Sequence, residues 1–358
     1  MTAALPAAAT TAAPEAAWHG LTVARVIAET SDATSVELHV PLELAAQFAY
    51  RPGQFLTLRV AHPDGMLSRC YSLSSSPGID ALPRVTIKRV AGGRASNWLC
   101  DSLTEGTQVE VMAPAGVFVP ERLDGDFTLL AGGSGITPML SIIKAVLARG
   151  EGKVWLLYAN RDPASVIFRN ELQALAEAHP QRLVVQHWLD QVQGMPSTQQ
   201  LQALLARQPA GQYFICGPKP FMDGAQAALK ALSVPRERVR VERFVSLDVA
   251  GAAADAAMEV PPSADAVAAR LEVALDGAEH ALDVPPGASL LDTMLAAGLK
   301  PPHSCRTGSC GACMCKVEQG EVQLRLNAVL DEDDLADGWT LACQGIPASA
   351  TLRLRFPD

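Results

Sequence analysis

The chain has 358 residues, 49% of them hydrophobic and 19% charged, a composition that suits two or three globular domains and excludes a disordered protein. A formal net charge of −9 argues against non-specific binding to nucleic acid. No run of apolar residues is long enough to predict a membrane span.

Residues 1–17 are mostly Ala, Thr and Pro, with neither a basic start nor a compact apolar stretch. They are expected to be a disordered tail and not a signal peptide. Without an export signal, and with a cysteine set that needs reduced thiols, the expected compartment is cytoplasmic.

From 18 to 122 short alternating runs (Leu21 to Ile27, Ser35 to Val40, Phe55 to Val60, Arg84 to Val90, Gln108 to Met112) are separated by Gly and Pro. They predict an antiparallel sheet closed into a β-barrel. Within it stand Arg51-Pro-Gly-Gln-Phe55, Arg69-Cys-Tyr-Ser-Leu73 and Lys88-Arg-Val-Ala-Gly-Gly-Arg-Ala-Ser-Asn-Trp-Leu99. In the last of these a turn at Gly93 opens a helix, so the N–H groups of Ala95 and Ser96 can meet a phosphate.

From 123 to 245 strands (Phe127 to Ala131, Val154 to Ala159, Leu183 to Trp188, Tyr213 to Cys216, Val239 to Phe244) alternate with helical stretches. That order predicts an α/β domain with a doubly wound parallel sheet. Ala131-Gly-Gly-Ser-Gly-Ile-Thr-Pro138 lies between the first strand and the helix Met139 to Leu147. Gly132, Gly133 and Gly135 let backbone approach a dinucleotide pyrophosphate, with Ser134 and Thr137 beside it at a helix N-terminus. A Gly-rich turn alone is a weak signal, and a small buried thiol is the plain alternative for Cys216 further on.

Residues 246–269, rich in Ala, Pro and small polar residues, are expected to be a linker, with a short helical turn over Asp265 to Ala269. Residues 270–358 hold 13 acidic and seven basic residues, so this quarter carries −6 of the net −9. Cys305, Cys310, Cys313 and Cys343 follow C-x4-C-x2-C and then, after 29 intervening residues, C. That is the plant-type pattern for four thiolates holding a 2Fe–2S cluster. Gly308, Ser309, Gly311 and Ala312 keep bulk out of a loop that wraps the cluster. Zinc sites prefer paired C-x2-C knuckles, and disulfides need a secreted context. Cys315 is expected in the strand leaving the loop, as a small buried thiol. Asp331-Glu-Asp-Asp334 is either a docking face for a basic partner or the solvated start of a helix.

Arg69-x-Tyr71-Ser72 followed by Gly93-x-x-Ser96 resembles the flavin motif of the ferredoxin–NADP reductase superfamily. The resemblance implies that Arg69 neutralises a flavin phosphate, that Tyr71 lies against the isoalloxazine and that the Ser72 hydroxyl bonds N5. Lys88 falls in the same flavin-binding region. The resemblance implies FAD as the cofactor, with FMN the alternative. Cys216-Gly217-Pro218-Lys-Pro-Phe-Met222 matches the superfamily's second nicotinamide-side motif, which puts Cys216 beside nicotinamide C4. Phe244, in Val241-Glu-Arg-Phe, stands where relatives place a ring over the other flavin face. Arg161 suits the extra phosphate of NADPH and Asp162 repels it, so Asn160-Arg161-Asp162 leaves the donor open.

Flavin barrel, nucleotide domain and an α+β (β-grasp) ferredoxin domain, in that order over 18–358, resemble the three-domain reductases of oxygenase systems. Ser96-Asn-Trp-Leu-Cys-Asp101, Tyr158-Ala-Asn-Arg-Asp162 and Val166-Ile-Phe168 resemble the reductase components of 3-ketosteroid 9α-hydroxylases, with those of phenylacetyl-CoA epoxidases near relations. The resemblance implies an oxidoreductase passing electrons from NADH to FAD, then to the cluster, then to a terminal oxygenase, of Rieske type or acting on aromatic or acyl-CoA substrates. Other acceptors in keeping with the same motifs are diiron hydroxylases, desaturases and stress-response metal-cluster proteins. A self-sufficient flavin oxidase and a zinc-containing binding protein are the readings from other classes. The linker is expected to let the cluster domain swing between flavin and partner.

Overall fold

The computed structural model describes residues 18–63, 65–244 and 268–357. The expected tail and residues 246–267 of the expected linker lie outside the described residues, and Ala269 opens a strand where a helical turn was expected to end. Described residues 18–244 belong to one compact unit and 268–357 to another.

The first unit opens with β1 (His19–Thr30), β2 (Ala33–His39), β3 (Phe55–His62), β4 (Gly65–Ser72), β5 (Arg84–Lys88), helix α1 (Arg94–Ser102) and β6 (Gln108–Val111). The sheet order β4-β3-β6-β1-β2-β5 is antiparallel throughout, and a bridge between Leu73 and Val85 joins its two ends into a barrel. Alternate residues turn inward, as a two-residue period requires: Leu21 and Val23, Val36 and Leu38, Leu56, Leu58 and Val60, Val85 and Ile87, Val109 and Val111. Strand β4 was absent from the sequence-based strands. Its residues 67 to 71 are neither buried nor fully exposed, so it has no inside-outside alternation to read.

The second half of this unit contains β7 (Phe127–Gly132), α2 (Ile136–Arg149), β8 (Val154–Asn160), α3 (Arg169–Ala178), β9 (Leu183–Leu189), α4 (Asp190–Gln193), α5 (Thr198–Leu205), β10 (Gln212–Cys216), α6 (Lys219–Ala231) and β11 (Val239–Glu242). The strands are all parallel, in the order β11-β10-β7-β8-β9. Leu129, Ala131, Leu156 and Tyr158 pack with α2 and α3 on one face. Leu130, Leu157, Tyr213 and Ile215 pack with α5 and α6 on the other, so the sheet is wound on both sides. The last strand ends at Glu242, two residues before the expected Phe244.

The second unit is a mixed sheet, β13-β12-β18-β14-β16, built from β12 (Ala269–Leu275), β13 (Ala278–Val284), β14 (Met314–Gln319), β16 (Trp339–Leu341) and β18 (Thr351–Arg355). Helices α7 (Leu290–Ala296) and α8 (Glu332–Ala336) and the small pair β15 (Val322–Leu324) and β17 (Gly345–Pro347) complete it. No helix among the described residues is long and apolar enough to cross a membrane.

Candidate functional site

Chain connections leave β7 toward β8 on one side and β10 toward β11 on the other, so the sheet order reverses between β7 and β10. Ligands of such sheets bind in the crevice at the carboxyl ends of those two strands. Both expected nucleotide segments end there, with Cys216 level with Ala131 across the ladder. A Cβ on Gly135 would stand 2.0 Å from the Cys216 carbonyl oxygen, and one on Gly132 would stand 2.7 Å from Pro218 Cδ. Gly217 is as tightly placed, since a Cβ there would stand 2.9 Å from the Gly132 nitrogen. Gly133 adopts φ +51, and its carbonyl accepts the Tyr158 hydroxyl at 3.1 Å. No side chain caps α2, whose first N–H, that of Ile136, bonds the Gly133 and Ser134 carbonyls, and its N-terminus presents the positive end of the helix dipole to an anion. Thr137 faces inward, 2% exposed, and its hydroxyl donates to the Ser134 carbonyl at 3.0 Å. Its part is to shape the loop.

On the barrel, Arg69 and Tyr71 stand two apart on β4, opposite Leu58 and Leu56 of β3. Both are partly exposed, as groups that meet a ligand must be. Arg69 Nη1 donates to the Ser68 carbonyl at 3.0 Å. Gly93 is the N-cap of α1, again without a side-chain cap, so the N–H groups of Ala95 and Ser96 open the helix toward a phosphate. The Ser96 hydroxyl accepts the Val90 N–H at 3.1 Å and Asn97 donates to the Val90 carbonyl at 3.1 Å, which fixes the intervening turn. Lys88, expected on the flavin side, pairs with Asp32 at 3.8 Å and has its Nζ 3.5 Å from where a Cβ on Gly133 would stand. It reaches the nucleotide loop from across the crevice. Two uncapped helix starts and a glycine cradle facing the crevice fit FAD and a pyridine dinucleotide.

Barrel and parallel sheet meet at Ser72, whose hydroxyl donates to Glu242 Oε2 at 2.9 Å. Burial pushes the Glu242 carboxyl up to about 8, against the smaller opposing effect of the Ser72 hydrogen bond. Cys216 is wholly buried, and burial and then the nearby Glu242 charge push its thiol upward. Ser72 and Cys216, expected in the chemistry, are thus brought to one carboxylate that sequence reasoning missed. A lone acid closing the short strand Val239-Arg-Val-Glu242, inside Val241-Glu-Arg-Phe, was the available signal. Phe244 lies just beyond the strand and is 46% exposed.

In the second unit the four expected ligands gather as two pairs. Hydrogen bonding to Cys310, then burial, pushes the Cys305 thiol up. Cys313 is pushed up first by its bond with Cys343, and the same bond holds Cys343 down. Two thiol pairs suit two bridged irons with two cysteine ligands each. Cys315 lies on β14, fully buried, with burial pushing its thiol to about 12. Asp331 is the N-cap of α8, and its side chain accepts the Asp334 N–H at 2.7 Å in a capping box. Asp334 is buried, so of the expected acidic face only Glu332 and Asp333 are fully open. On the other sheet, Arg161 Nε donates to Asp162 at 2.9 Å, while Asp162 caps the turn at Pro163–Ser165.

The family models described as "Oxidoreductase FAD-binding domain", "Oxidoreductase NAD-binding domain" and "2Fe-2S iron-sulfur cluster binding domain" match residues 21–119, 129–227 and 273–348. The chain is 49% identical over 337 residues to the "3-ketosteroid-9-alpha-monooxygenase, ferredoxin reductase component" of Rhodococcus rhodochrous, covering 94% of this chain and 96% of that protein. It is 36% identical over 357 residues to a component of the 1,2-phenylacetyl-CoA epoxidase of Escherichia coli, covering 95% and 98%. Among solved structures it is similar to phthalate dioxygenase reductase, with a TM-score of 0.58 and 26% identity over 95% of this chain and 98% of that one.

Proposed function

Since the chain belongs to the family of oxygenase reductase components that join FAD-binding, NAD-binding and 2Fe–2S domains, we propose that it supplies a Rieske-type oxygenase acting on a ketosteroid, with NADH as donor. The reductase chemistry itself is that of the family: electrons pass from NADH through FAD and the cluster to a partner oxygenase. The steroid partner rests on the likeness at 49% identity, above the 36% to the epoxidase component. We infer a cytoplasmic setting, in keeping with ligand thiols that must stay reduced. The division into 18–122, 123–245 and 270–358 belongs to the same reading.

The observation that carries the site assignment is the Ser72–Glu242 hydrogen bond, which ties the flavin-side strand to the nucleotide-side sheet at the switch point. FAD held there would supply the conversion of a hydride's two electrons into the single electrons that a one-electron cluster needs. Around that chemistry two buried titratable groups of this chain are held neutral. With its carboxyl pushed up to about 8, Glu242 holds its proton at neutral pH, and the Ser72 hydroxyl is oriented by it. Cys216 stays a neutral thiol. Arg69 and the N-terminus of α1 are assigned to flavin phosphates, Tyr71 to one flavin face and Phe244 to the other. Gly132, Gly133, Ser134, Gly135, Gly217 and Pro218 form the dinucleotide cradle, with Lys88 reaching it from the barrel. Cys305, Cys310, Cys313 and Cys343 hold the cluster. Arg161 is already matched by Asp162, which favours NADH over its phosphorylated counterpart.

Anaerobic stopped-flow reduction with each nucleotide, followed by turnover with a ketosteroid oxygenase and with an acyl-CoA epoxidase, tests this reading. Fast flavin and cluster reduction by NADH, with product formed only with the steroid enzyme, is expected. Product formed only with the epoxidase would overturn the partner assignment, and faster reduction by NADPH the donor assignment.

A further inference from the structure

The loop that carries the first two cluster ligands holds more hydroxyl groups than its shape requires. Thr307 N–H donates to Cys305 Sγ at 3.4 Å, and the Ser309 hydroxyl donates to the same sulfur at 3.6 Å. Thr307 Oγ1 lies 2.7 Å from Ser309 Oγ. A hydroxyl has one proton to give. Ser309 spends its proton on the sulfur, so the proton between the two oxygens belongs to Thr307. The result is a chain, Thr307 O–H to Ser309 O–H to Cys305 Sγ, in which the Thr307 side chain also stands within hydrogen-bonding reach of the sulfur.

The chain is held from outside. Gln344 Nε2 donates to the Arg306 carbonyl at 2.8 Å, and the Gly308 carbonyl accepts the Ala328 N–H at 3.1 Å. Gly308, at φ +72, allows the loop to fold Thr307 back over Ser309. Ser309 is 9% exposed, so water competes little for its proton.

We propose that Thr307 and Ser309 form a hydroxyl relay that raises the reduction potential of the cluster through the Cys305 sulfur. Reduction adds negative charge to the cluster and its ligand sulfurs, and a donor aimed at a sulfur stabilises the reduced form more than the oxidised. Thr307 acts both by polarising the Ser309 hydroxyl and by its own side-chain and backbone hydrogen bonding to Cys305. Both are positioning residues. The inference rests on the assignment of Cys305 as a ligand.

The test is an anaerobic redox titration of the full chain, following the cluster by its electron paramagnetic resonance and the flavin by its absorbance, for wild type, S309A, T307V and T307S. Iron content and flavin content are measured first. Two irons per chain in T307V and T307S, together with their loss in C305A, establish the ligand assignment separately from the relay. At fixed potential, the reduced-to-oxidised ratio of the cluster is expected to fall threefold to tenfold in S309A, about 28 to 59 mV for one electron. T307V is expected to fall in the same direction by less, T307S to return to the wild-type value, and the flavin potential to stay put in all three. A cluster ratio within twofold of wild type in both S309A and T307V overturns the relay, as does a T307S variant that behaves like T307V. If S309A fails to bind iron, the T307V and T307S pair decides alone.

Discussion

Glu242, where barrel and parallel sheet meet, has an ionisation far from ordinary, and its sign can be worked out. A carboxyl raised from 4.5 to about 8 keeps its proton in the folded protein where the unfolded chain has released it. Between those values the folded state binds more protons, so stability falls as pH rises through the window and is fullest below 4.5. E242Q, which cannot titrate, is expected to flatten the dependence of Tm on pH between about 5 and 8. Thermal melts of the two proteins across that range check it. S72A is expected to slow flavin reduction by NADH about 10²-fold, the cost of misplacing reacting groups once the hydrogen bond to Glu242 that joins barrel and parallel sheet is lost, with flavin content unchanged. Stopped-flow single turnovers measure that. The sequence names Ser72 and Cys216 because they sit inside local motifs. Glu242 pairs with Ser72 across 170 residues, and no local spacing reports such a meeting.

At the scale of elements, α2 does two jobs. Its first residues follow the glycine cradle, and further along the helix Ser141 donates to the Ser75 carbonyl at 2.5 Å while Lys144 pairs with Asp80 at 2.9 Å. Ser75 and Asp80 lie in the segment just after flavin-side strand β4. Lys144 also pairs with Glu171 of α3, and Glu171 with Arg84 of the barrel at 2.8 Å, so one buried ammonium joins three elements. Lys144 is 7% exposed, and K144M would leave two carboxylates without it. The expected loss is about 3 kcal/mol or more of unfolding free energy, read from urea denaturation of the first unit. In the second unit, D331A is expected to cost about 1 kcal/mol because it removes the α8 cap, and D331N almost nothing because Asn caps equally well. Denaturation midpoints separate that capping role from any part the charge plays in docking. Strands with one buried face were legible from their alternation. Strand β4 was not, since its residues 67 to 71, Arg69 and Tyr71 among them, are all partly exposed and the inside-outside code is lost.

For the whole molecule, the order of three modules was legible because each carries its own cysteine, glycine or Arg-x-Tyr-Ser signature. Their division of labour predicts what survives a cut. A chain ending at residue 245 is expected to keep its flavin and to reduce ferricyanide with NADH within about twofold of the full protein, while reduction of the partner oxygenase is lost. Steady-state assays with the two acceptors settle this, and equal loss of both activities would count against independent modules. Residues 18–244 and 268–357 each have a core of their own, in keeping with that outcome.

The crevice at the ends of β7 and β10 is made of backbone so close-packed that a single added carbon at Gly135 would collide at 2.0 Å. The part of the site that grips what all pyridine dinucleotides share therefore cannot be tuned by side chains. The groups suited to telling one dinucleotide from another, Arg161 and Asp162, stand one strand away on an exposed turn. Grip and discrimination are thus separately editable. On the proposed assignment, substitutions at Arg161 and Asp162 are expected to shift donor preference with the cradle left alone, whereas a side chain added to the cradle is expected to weaken binding of both donors together.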